Sequence, residues 1–172
     1  EDFVYFYQLY IHTVIHRMGV VHHDVDDIVQ TVLITLWKKL PEFDYEPSRC
    51  KFRTWMNNVT RKKVLDYFRS HGRYERRLEK AGAMDKPESA LPDIYAISED
   101  EWKIHISNLA WDNIKDEFGG KAIECFQLFR QGKSVAEVCQ ELDLKRNSAH
   151  VLRKRVVDKL CREIRRLDQE LS

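Results

Sequence analysis

The chain has 172 residues, enough for one domain or two small ones, and 43% of them are hydrophobic, so a buried core can form. No apolar run approaches the length that crosses a bilayer, which argues against membrane insertion and favours a cytoplasmic protein. The four cysteines show no paired spacing, and this argues against both a disulfide framework and a zinc site.

The formal net charge is only +1, but the charges are sorted along the chain. Acidic residues predominate in segments 1–46 and 84–101, whereas basic residues predominate in segments 61–77 and 145–166. Two basic segments separated by an acidic one are typical of a protein that makes two contacts along one nucleic acid, with an affinity that falls as salt rises. The alternative is that the basic segments are plain solvated surface.

Two amphipathic helices are predicted in the first forty residues. Apolar residues recur at three-to-four spacing from Phe3 to Met18, and again from Ile28 to Leu40. The stripe of the second helix includes Trp37, so this side chain is predicted to be buried. Pro41 ends that helix, because a residue before proline is disfavoured in the helical region.

A third helix is predicted to begin near Phe52. The apolar stripe of this helix includes Phe52, Trp55 and Phe68, which favours a core role for these rings over base stacking. The outer face is cationic and rich in hydrogen-bonding groups, which suits nucleic acid. The residues of this outer face are Asn58, Arg61, Lys62 and Arg69.

Three aspartates, Asp24, Asp26 and Asp27, open the second helix. They could cap the helix and interact favourably with the positive end of the helix dipole. Alternatively, they could hold a metal together with the two preceding histidines, although no further ligand follows at helical spacing. The same aspartates with Asp44 define a rival hypothesis, a magnesium-dependent DNA-processing enzyme.

The middle of the chain combines Pro87 and Pro92 with small and acidic residues and shows no sustained period, so it is predicted to be a linker. The predicted fold is therefore all-α, with two small helical domains joined by a flexible linker. The first domain covers residues 1–77, the linker covers 78–101, and the second domain covers 102–172.

A helix-turn-helix is predicted in the second domain. Its short helix is marked by apolar residues from Val135 to Leu142, and its long helix by a stripe from Ala149 to Leu167. Asp143 occupies the turn position that glycine usually fills, and aspartate tolerates a left-handed backbone. The side of the long helix opposite the stripe, predicted to face a major groove, carries Asn147, His150, Val151 and Lys154, while Arg146, Arg153 and Arg155 are placed for phosphates.

These motifs occur in a characteristic order. An acidic cluster is followed by Ile28-Val29-Gln30, an apolar run that ends in Leu36-Trp37, an aspartate-containing loop, Phe52-Arg53-x-Trp55, and then Arg61, Asp66 and Arg69. In this order and spacing the segment resembles region 2 of bacterial extracytoplasmic-function (ECF) sigma factors. The part from about Asp112 to Leu167 resembles region 4 of the same family, and the acidic linker lies between the two.

The resemblance implies a transcription initiation factor that binds core RNA polymerase and promoter DNA, with no catalytic activity, cofactor or metal of its own. It implies that a first group of residues contacts polymerase: Asp26, Asp27, Gln30 and Thr31. It further implies that the loop from Asp44 to Lys51 handles the minus-ten promoter element together with Phe52, Arg53, Asn58, Arg61 and Lys62. The second domain would read the minus-thirty-five element through Arg146, Asn147, His150, Val151, Arg153, Lys154 and Arg155.

Two further expectations concern partners. An anti-sigma factor, which commonly restrains this family, is a candidate third partner. The rival to the sigma-factor hypothesis is a stand-alone helix-turn-helix regulator, which would use its N-terminal module for dimerisation or ligand binding. Such a regulator would dimerise and bind a palindrome without polymerase.

Overall fold

The structure is a computed structural model that describes residues 2–43, 51–70 and 92–171. Within these ranges all regular secondary structure is helical and no strand occurs, which confirms the all-α class. The α-helices of the described ranges are α1 (Asp2–Arg17), α2 (His22–Lys39), α3 (Phe52–Ser70), α4 (Ile94–Ile114), α5 (Lys121–Arg130), α6 (Val135–Leu142) and α7 (Arg146–Leu171). Short 3-10 segments follow α2 and α4, at Leu40–Glu42 and Lys115–Glu117.

The chain divides into two compact units. The first ends at His105, and the second runs from Ile106 to Leu171. Helix α4 therefore contributes its N-terminal part to the first unit and its C-terminal part to the second. Residues 44–50 and 78–91, which belong to the predicted minus-ten loop and to the predicted linker, lie outside the described residues.

Helices α1, α2 and α3 pack around the core of the first unit. In α1, Tyr10 is 1% exposed and its hydroxyl donates a hydrogen bond of 3.1 Å to Oδ1 of Asn57, a buried residue of α3. This bond joins two helices and satisfies an amide oxygen that would be costly to bury alone. The apolar core around it is formed by Ile11, Val14, Ile15, Met18, Val25, Val29, Val32, Leu36, Met56, Val64 and Phe68.

The prediction that Trp37 is buried is wrong. The Trp37 side chain is 67% exposed, whereas its neighbour Leu36 is fully buried. Successive residues of an α-helix are rotated by about 100° around the axis, so a stripe that centres on Leu36 turns Trp37 away from the core. Leu40, at the end of the same predicted stripe, is also exposed.

The linker was predicted to extend to Glu101, but in the structure its last residues form the N-terminal part of α4. From Ile94 onward the chain is helical. The periodicity is hidden in the sequence because three of the buried positions, Ser98, Glu101 and His105, are polar. The carboxylate of Glu101 lies 2.5 Å from the guanidinium of Arg17. The buried positions recur at three-to-four spacing and are Ile94, Ile97, Ser98, Glu101, Trp102 and His105.

Helices α5, α6 and α7 surround the core of the second unit, which includes Cys125, Leu128, Val138, Leu142 and Ala149. Helix α6 begins with a capping box, in which the Ser134 hydroxyl accepts the backbone N–H of Glu137 and the Glu137 carboxylate accepts the backbone N–H of Ser134. Asp143 follows α6 with φ 49° and ψ 60°, so the predicted left-handed backbone is present. Leu144 then donates its backbone N–H to the carbonyl of Cys139 at 2.9 Å, which completes the turn into α7.

None of the helices in the described ranges is long and apolar enough to cross a membrane. Cys125 is buried, Cys139 is partly buried and Cys161 is exposed, and all three carry free thiols. Burial raises the pKa of the Cys125 thiol, which is consistent with a packing role for this side chain in the second core.

Candidate nucleic-acid interface

One exposed surface of α2 carries all four side chains that were predicted to bind polymerase. The four are Asp26, Asp27, Gln30 and Thr31, and each is solvent-exposed. The Asp26 side chain is 81% exposed, with Oδ1 3.5 Å from His12 Nε2. The Thr31 hydroxyl donates to the backbone carbonyl of Asp27 at 2.9 Å, a bond within the helix that leaves both residues facing solvent. Carboxylates are therefore available here for a cationic partner.

Two large apolar side chains extend this surface. Ile34 is 55% exposed and Trp37 is 67% exposed, and they follow Gln30 at intervals of four and three residues. Exposed aromatic residues ringed by polar groups are typical of binding hot spots. Sequence reasoning missed both side chains, because it assigned Trp37 to the buried stripe and did not assign Ile34. We refer to Asp27, Gln30, Thr31, Ile34 and Trp37 as the α2 ridge.

Asp24 has a different role from its two neighbours. Its Oδ2 accepts a hydrogen bond of 2.6 Å from the Tyr67 hydroxyl, which links α2 to α3, and His23 Nε2 lies 3.2 Å from its Oδ1. The residue at the N-cap of α2 is Val21, and no side chain caps the helix there. The described part of the chain contains no group of three or more His, Cys, Asp or Glu side chains that could hold a metal ion, and Asp44 lies outside it.

Phe52, at the start of α3, lies within a cluster of aromatic rings. Its ring centroid is 5.4 Å from that of Tyr7, 5.5 Å from that of Trp55 and 5.8 Å from those of Phe3 and Phe43. Such distances are typical of packed aromatic pairs. The structure therefore gives Phe52 a packing role at the surface end of the first core, in agreement with the interpretation of this ring as a core residue.

Arg53 and Asn58, both predicted to contact the minus-ten element, are engaged by α4. Arg53 Nη2 lies 2.5 Å from Glu99 Oε1, and its guanidinium carbon lies 5.0 Å from the ring centroid of Trp102. The Arg53 side chain is only 12% exposed, and its Nη1 is buried without a hydrogen-bond partner. Asn58 is exposed, but its Oδ1 accepts a hydrogen bond of 2.9 Å from the Tyr95 hydroxyl.

The other predicted minus-ten residues remain on the surface. Lys51 and Lys62 are exposed and Arg61 is half-buried. Arg69, about two turns after Lys62 on the same side of α3, is exposed with its Nη1 3.5 Å from Oδ1 of Asp66. Helix α3 thus presents a cationic surface that begins at its N-terminus and continues along one side.

In the second unit, the first turns of α7 present the residues that were predicted to face a major groove. Asn147, His150, Val151 and Lys154 are all exposed, and Val151 reaches 64% exposure. They lie opposite Ala149, which is fully buried against α5 and α6. The first turn of α7 contains no acidic residue, so nothing there repels a phosphate.

The three arginines that were predicted to bind phosphates are exposed, and two of them are held by aromatic rings. The guanidinium carbon of Arg153 lies 4.8 Å from the ring centroid of Phe129, and that of Arg155 lies 5.9 Å from the ring centroid of Phe118. Stacking on a ring leaves the edge of a guanidinium available for hydrogen bonds. Arg146 borders a shallow cleft lined by Ser134, Val135, Ala136 and Cys139.

Comparison with known proteins was informative for the first unit only. Residues 6–74 match the model of the family described as Sigma-70 region 2. The matched segment is less than half of the 172 residues, and it contains the α2 ridge and all of α3. No curated protein and no solved structure matches the chain. The family match supports the assignment of this chain as a sigma-70 protein with a role in transcription initiation. The sigma-70 family consists of initiation factors that are not enzymes.

Proposed function

We propose that this chain is an ECF-type sigma factor, which binds core RNA polymerase and directs it to specific promoters. The observation that carries the proposal is the α2 ridge, which lies inside the segment that matches Sigma-70 region 2. Its carboxylate would meet a cationic polymerase surface, and Trp37 would be the apolar anchor. Asp26 adjoins the ridge and would add a second carboxylate.

The downstream promoter contact is proposed for α3. Lys51, Arg61 and Lys62 supply positive charge for the phosphates of the minus-ten element, and Asn58 supplies an amide that can read a base edge. Phe52 and Arg53 adjoin this surface in the same helix. The loop of residues 44–50 precedes it in sequence and belongs to the same proposed site.

The upstream promoter contact is proposed for α7. An exposed helix that follows a tight turn and begins without acidic residues fits a major groove. Asn147, His150, Val151 and Lys154 would face the bases, since side chains of this kind hydrogen-bond base edges or contact the thymine methyl group. The three arginines would fix the register of the helix on the phosphates.

The proposed function also sets the partners and the location. A sigma factor requires core polymerase and promoter DNA as partners, so the protein would act in the bacterial cytoplasm. An anti-sigma factor is proposed as a third partner, whose binding would cover one of the two surfaces.

The proposal can be tested by reconstitution. The protein is mixed with core polymerase, transcribed fragments are selected from genomic DNA, and their start sites are mapped. We expect the selected start sites to share a pair of upstream elements. Transcription that is indifferent to the added protein, together with dimeric binding of the free protein to a palindrome, would support the stand-alone regulator instead.

A further inference from the structure

The N-terminal part of α4 contacts the same residues of α3 that are proposed to handle the minus-ten element. All of the residues concerned belong to the first unit. The Tyr95 hydroxyl donates to Asn58 Oδ1 at 2.9 Å, and Glu99 Oε1 lies 2.5 Å from Arg53 Nη2. The partner groups are spaced one helical turn apart in α4, so both contacts come from one face of one helix.

This part of α4 is anchored by its other side. Ile94 and Trp102 are 2% and 3% exposed, and the Tyr10 hydroxyl lies 3.4 Å from the backbone carbonyl of Ser98. In contrast, the Tyr95 side chain is half-exposed and Glu99 is 56% exposed. The contacts to Asn58 and Arg53 are therefore polar and accessible to water, and a competing ligand can reach them.

The two contacts exclude nucleic acid from the groups they engage. A carboxylate on a guanidinium occupies donors that would otherwise bind a phosphate, and the Tyr95 hydroxyl uses the acceptor with which Asn58 would read a base. The fit is also incomplete, because Arg53 Nη1 is buried without a hydrogen-bond partner. A buried donor of this kind is unfavourable, so the contact with Glu99 leaves the guanidinium of Arg53 only partly satisfied.

We propose that the side chains of Tyr95 and Glu99 cover the minus-ten surface of the free protein, and that single-stranded DNA binds there only when it displaces these two side chains from Asn58 and Arg53 while the buried side of α4 stays in place. The proposal rests on the proposed function, since it assigns a regulatory contact to the same surface. The ligand class is single-stranded nucleic acid, whose phosphate would replace the Glu99 carboxylate on Arg53.

The test uses the full chain with the double substitution Tyr95→Phe and Glu99→Gln. Both changes keep the size of the side chain and leave the residues Asn58 and Arg53 unaltered. The first removes the hydroxyl that donates to Asn58, and the second removes the negative charge that faces Arg53. Asp100→Asn is the matched control, because it makes the same change in net charge at a residue that is 65% exposed and lies 4.0 Å from Lys103. Two quantities are measured for each protein: hydrogen exchange of the α4 amides, and binding of a fluorescein-labelled single-stranded DNA pool of random sequence.

We expect the double variant to keep the hydrogen exchange of the wild type and the control over residues 94–101, because the buried side of α4 still holds the helix in place. We also expect it to bind single-stranded DNA about three- to tenfold more tightly than the control, because apparent affinity scales with the fraction of molecules that are competent to bind. Equal affinity of the double variant and the control would overturn the proposal, as would faster exchange of α4 in the double variant, which would show that the helix itself comes away.

The proposed function has a separate readout. Co-purification of core polymerase depends on the α2 ridge and not on α4, so it should be the same for all three proteins. If polymerase binds and the two DNA affinities are equal, only the regulatory contact is refuted. If polymerase does not bind even the wild type, the sigma-factor proposal itself is refuted.

Discussion

At the scale of single residues, the α2 ridge combines a carboxylate with exposed apolar side chains. Trp37 and Ile34 leave more than half of their surfaces in water, although burial of such side chains is favourable. A partner that covers them gains that free energy, while Asp27 and the neighbouring Asp26 orient the approach of a cationic surface. The ridge thus has both elements of a protein-binding surface.

Replacement of both Asp27 and Gln30 by lysine should abolish binding to core polymerase. The two new positive charges would face the cationic surface that the ridge is proposed to meet, and the repulsion would oppose association. Because both residues are exposed, the melting temperature and the helicity should stay close to those of the wild type. The matched control is Gln8→Lys with Asp100→Lys, which makes the same charge change off the ridge. Wild-type co-purification of polymerase with the ridge variant would show that the assigned surface is wrong.

Trp37→Ser should weaken polymerase binding by a factor of about 10 or more, as expected when an aromatic anchor is truncated. Since Trp37 is 67% exposed, the free energy of unfolding should change by no more than about 0.5 kcal/mol. Leu9→Ser is the control, because Leu9 is a 62% exposed apolar residue of α1. Binding titrations and chemical denaturation of both variants check these values. An equal loss of binding in the two variants would contradict a specific role for Trp37.

At the scale of elements, the sequence predicts the helices whose apolar positions are uninterrupted. The α6 turn is the clearest case, since the apolar pattern and Asp143 together indicate both the helix and its left-handed end. The N-terminal part of α4 could not be predicted in this way, because Ser98 and Glu101 occupy core positions and the buried carboxylate is compensated by Arg17, which is far away in sequence. Side-chain partners of this kind depend on tertiary packing and have no local signal.

In the candidate site, too, some features could be predicted from the sequence and others depend on tertiary packing. Exposure of the predicted polymerase-contacting residues follows from helical periodicity, because they lie opposite the apolar stripe of α2. The engagement of Arg53 by Glu99 and Trp102 does not follow from periodicity, because it depends on a helix whose first two turns the sequence interpretation assigned to a linker. The predicted roles of these residues in binding polymerase and DNA stay predictions.

Helix α7 continues well beyond its proposed DNA-contacting turns, and its second half carries a pH-sensitive contact. Hydrogen bonds from Arg166 and Asn113 lower the pKa of Glu163 to about 2, from an ordinary value of 4.5. Because the folded-state pKa is the lower one, the carboxylate stabilises the second unit above pH 4.5, and this stabilisation is lost as the pH falls towards 2.

Glu163→Gln should therefore remove part of the acid sensitivity of folding. Between pH 4.5 and about 2, the free energy of unfolding should fall less steeply in the variant than in the wild type. Asn113→Ala removes one of the hydrogen bonds to Glu163 and should give an intermediate slope. Urea denaturation followed by circular dichroism at a series of pH values measures these slopes, and identical slopes for all three proteins would contradict the assigned contact.

At the scale of the whole molecule, two cationic surfaces lie in two separate units, on α3 and on α7. Each surface is small, and acidic residues predominate in the sequence between the two basic segments. Two weak DNA-binding surfaces on one chain give tight binding only when their spacing matches that of their sites on the DNA. The proposed function assigns the fixing of that spacing to core polymerase.

The two surfaces should affect different promoter elements. Lys154→Ala or His150→Ala should alter the preference at the upstream element, whereas Arg61→Ala or Lys62→Ala should alter the downstream element and strand opening. A loss of about 1–3 kcal/mol of discrimination is expected for a side chain that reads a base, and a smaller, sequence-independent loss for one that binds a phosphate. Transcription from promoters varied at each element separates the two classes. Identical profiles for all four variants would contradict a division of labour.

The central claim, that this chain selects promoters only together with core polymerase, is tested most directly by titrating promoter duplex with the protein at physiological salt, with and without the core enzyme. The free protein should bind weakly, and this binding should fall steeply as salt rises, because each phosphate contact releases counterions. Addition of core polymerase should give tight, sequence-selective binding, since it holds both surfaces at promoter spacing. Tight and selective binding by the free protein, unchanged by polymerase, would contradict the account and favour a stand-alone regulator.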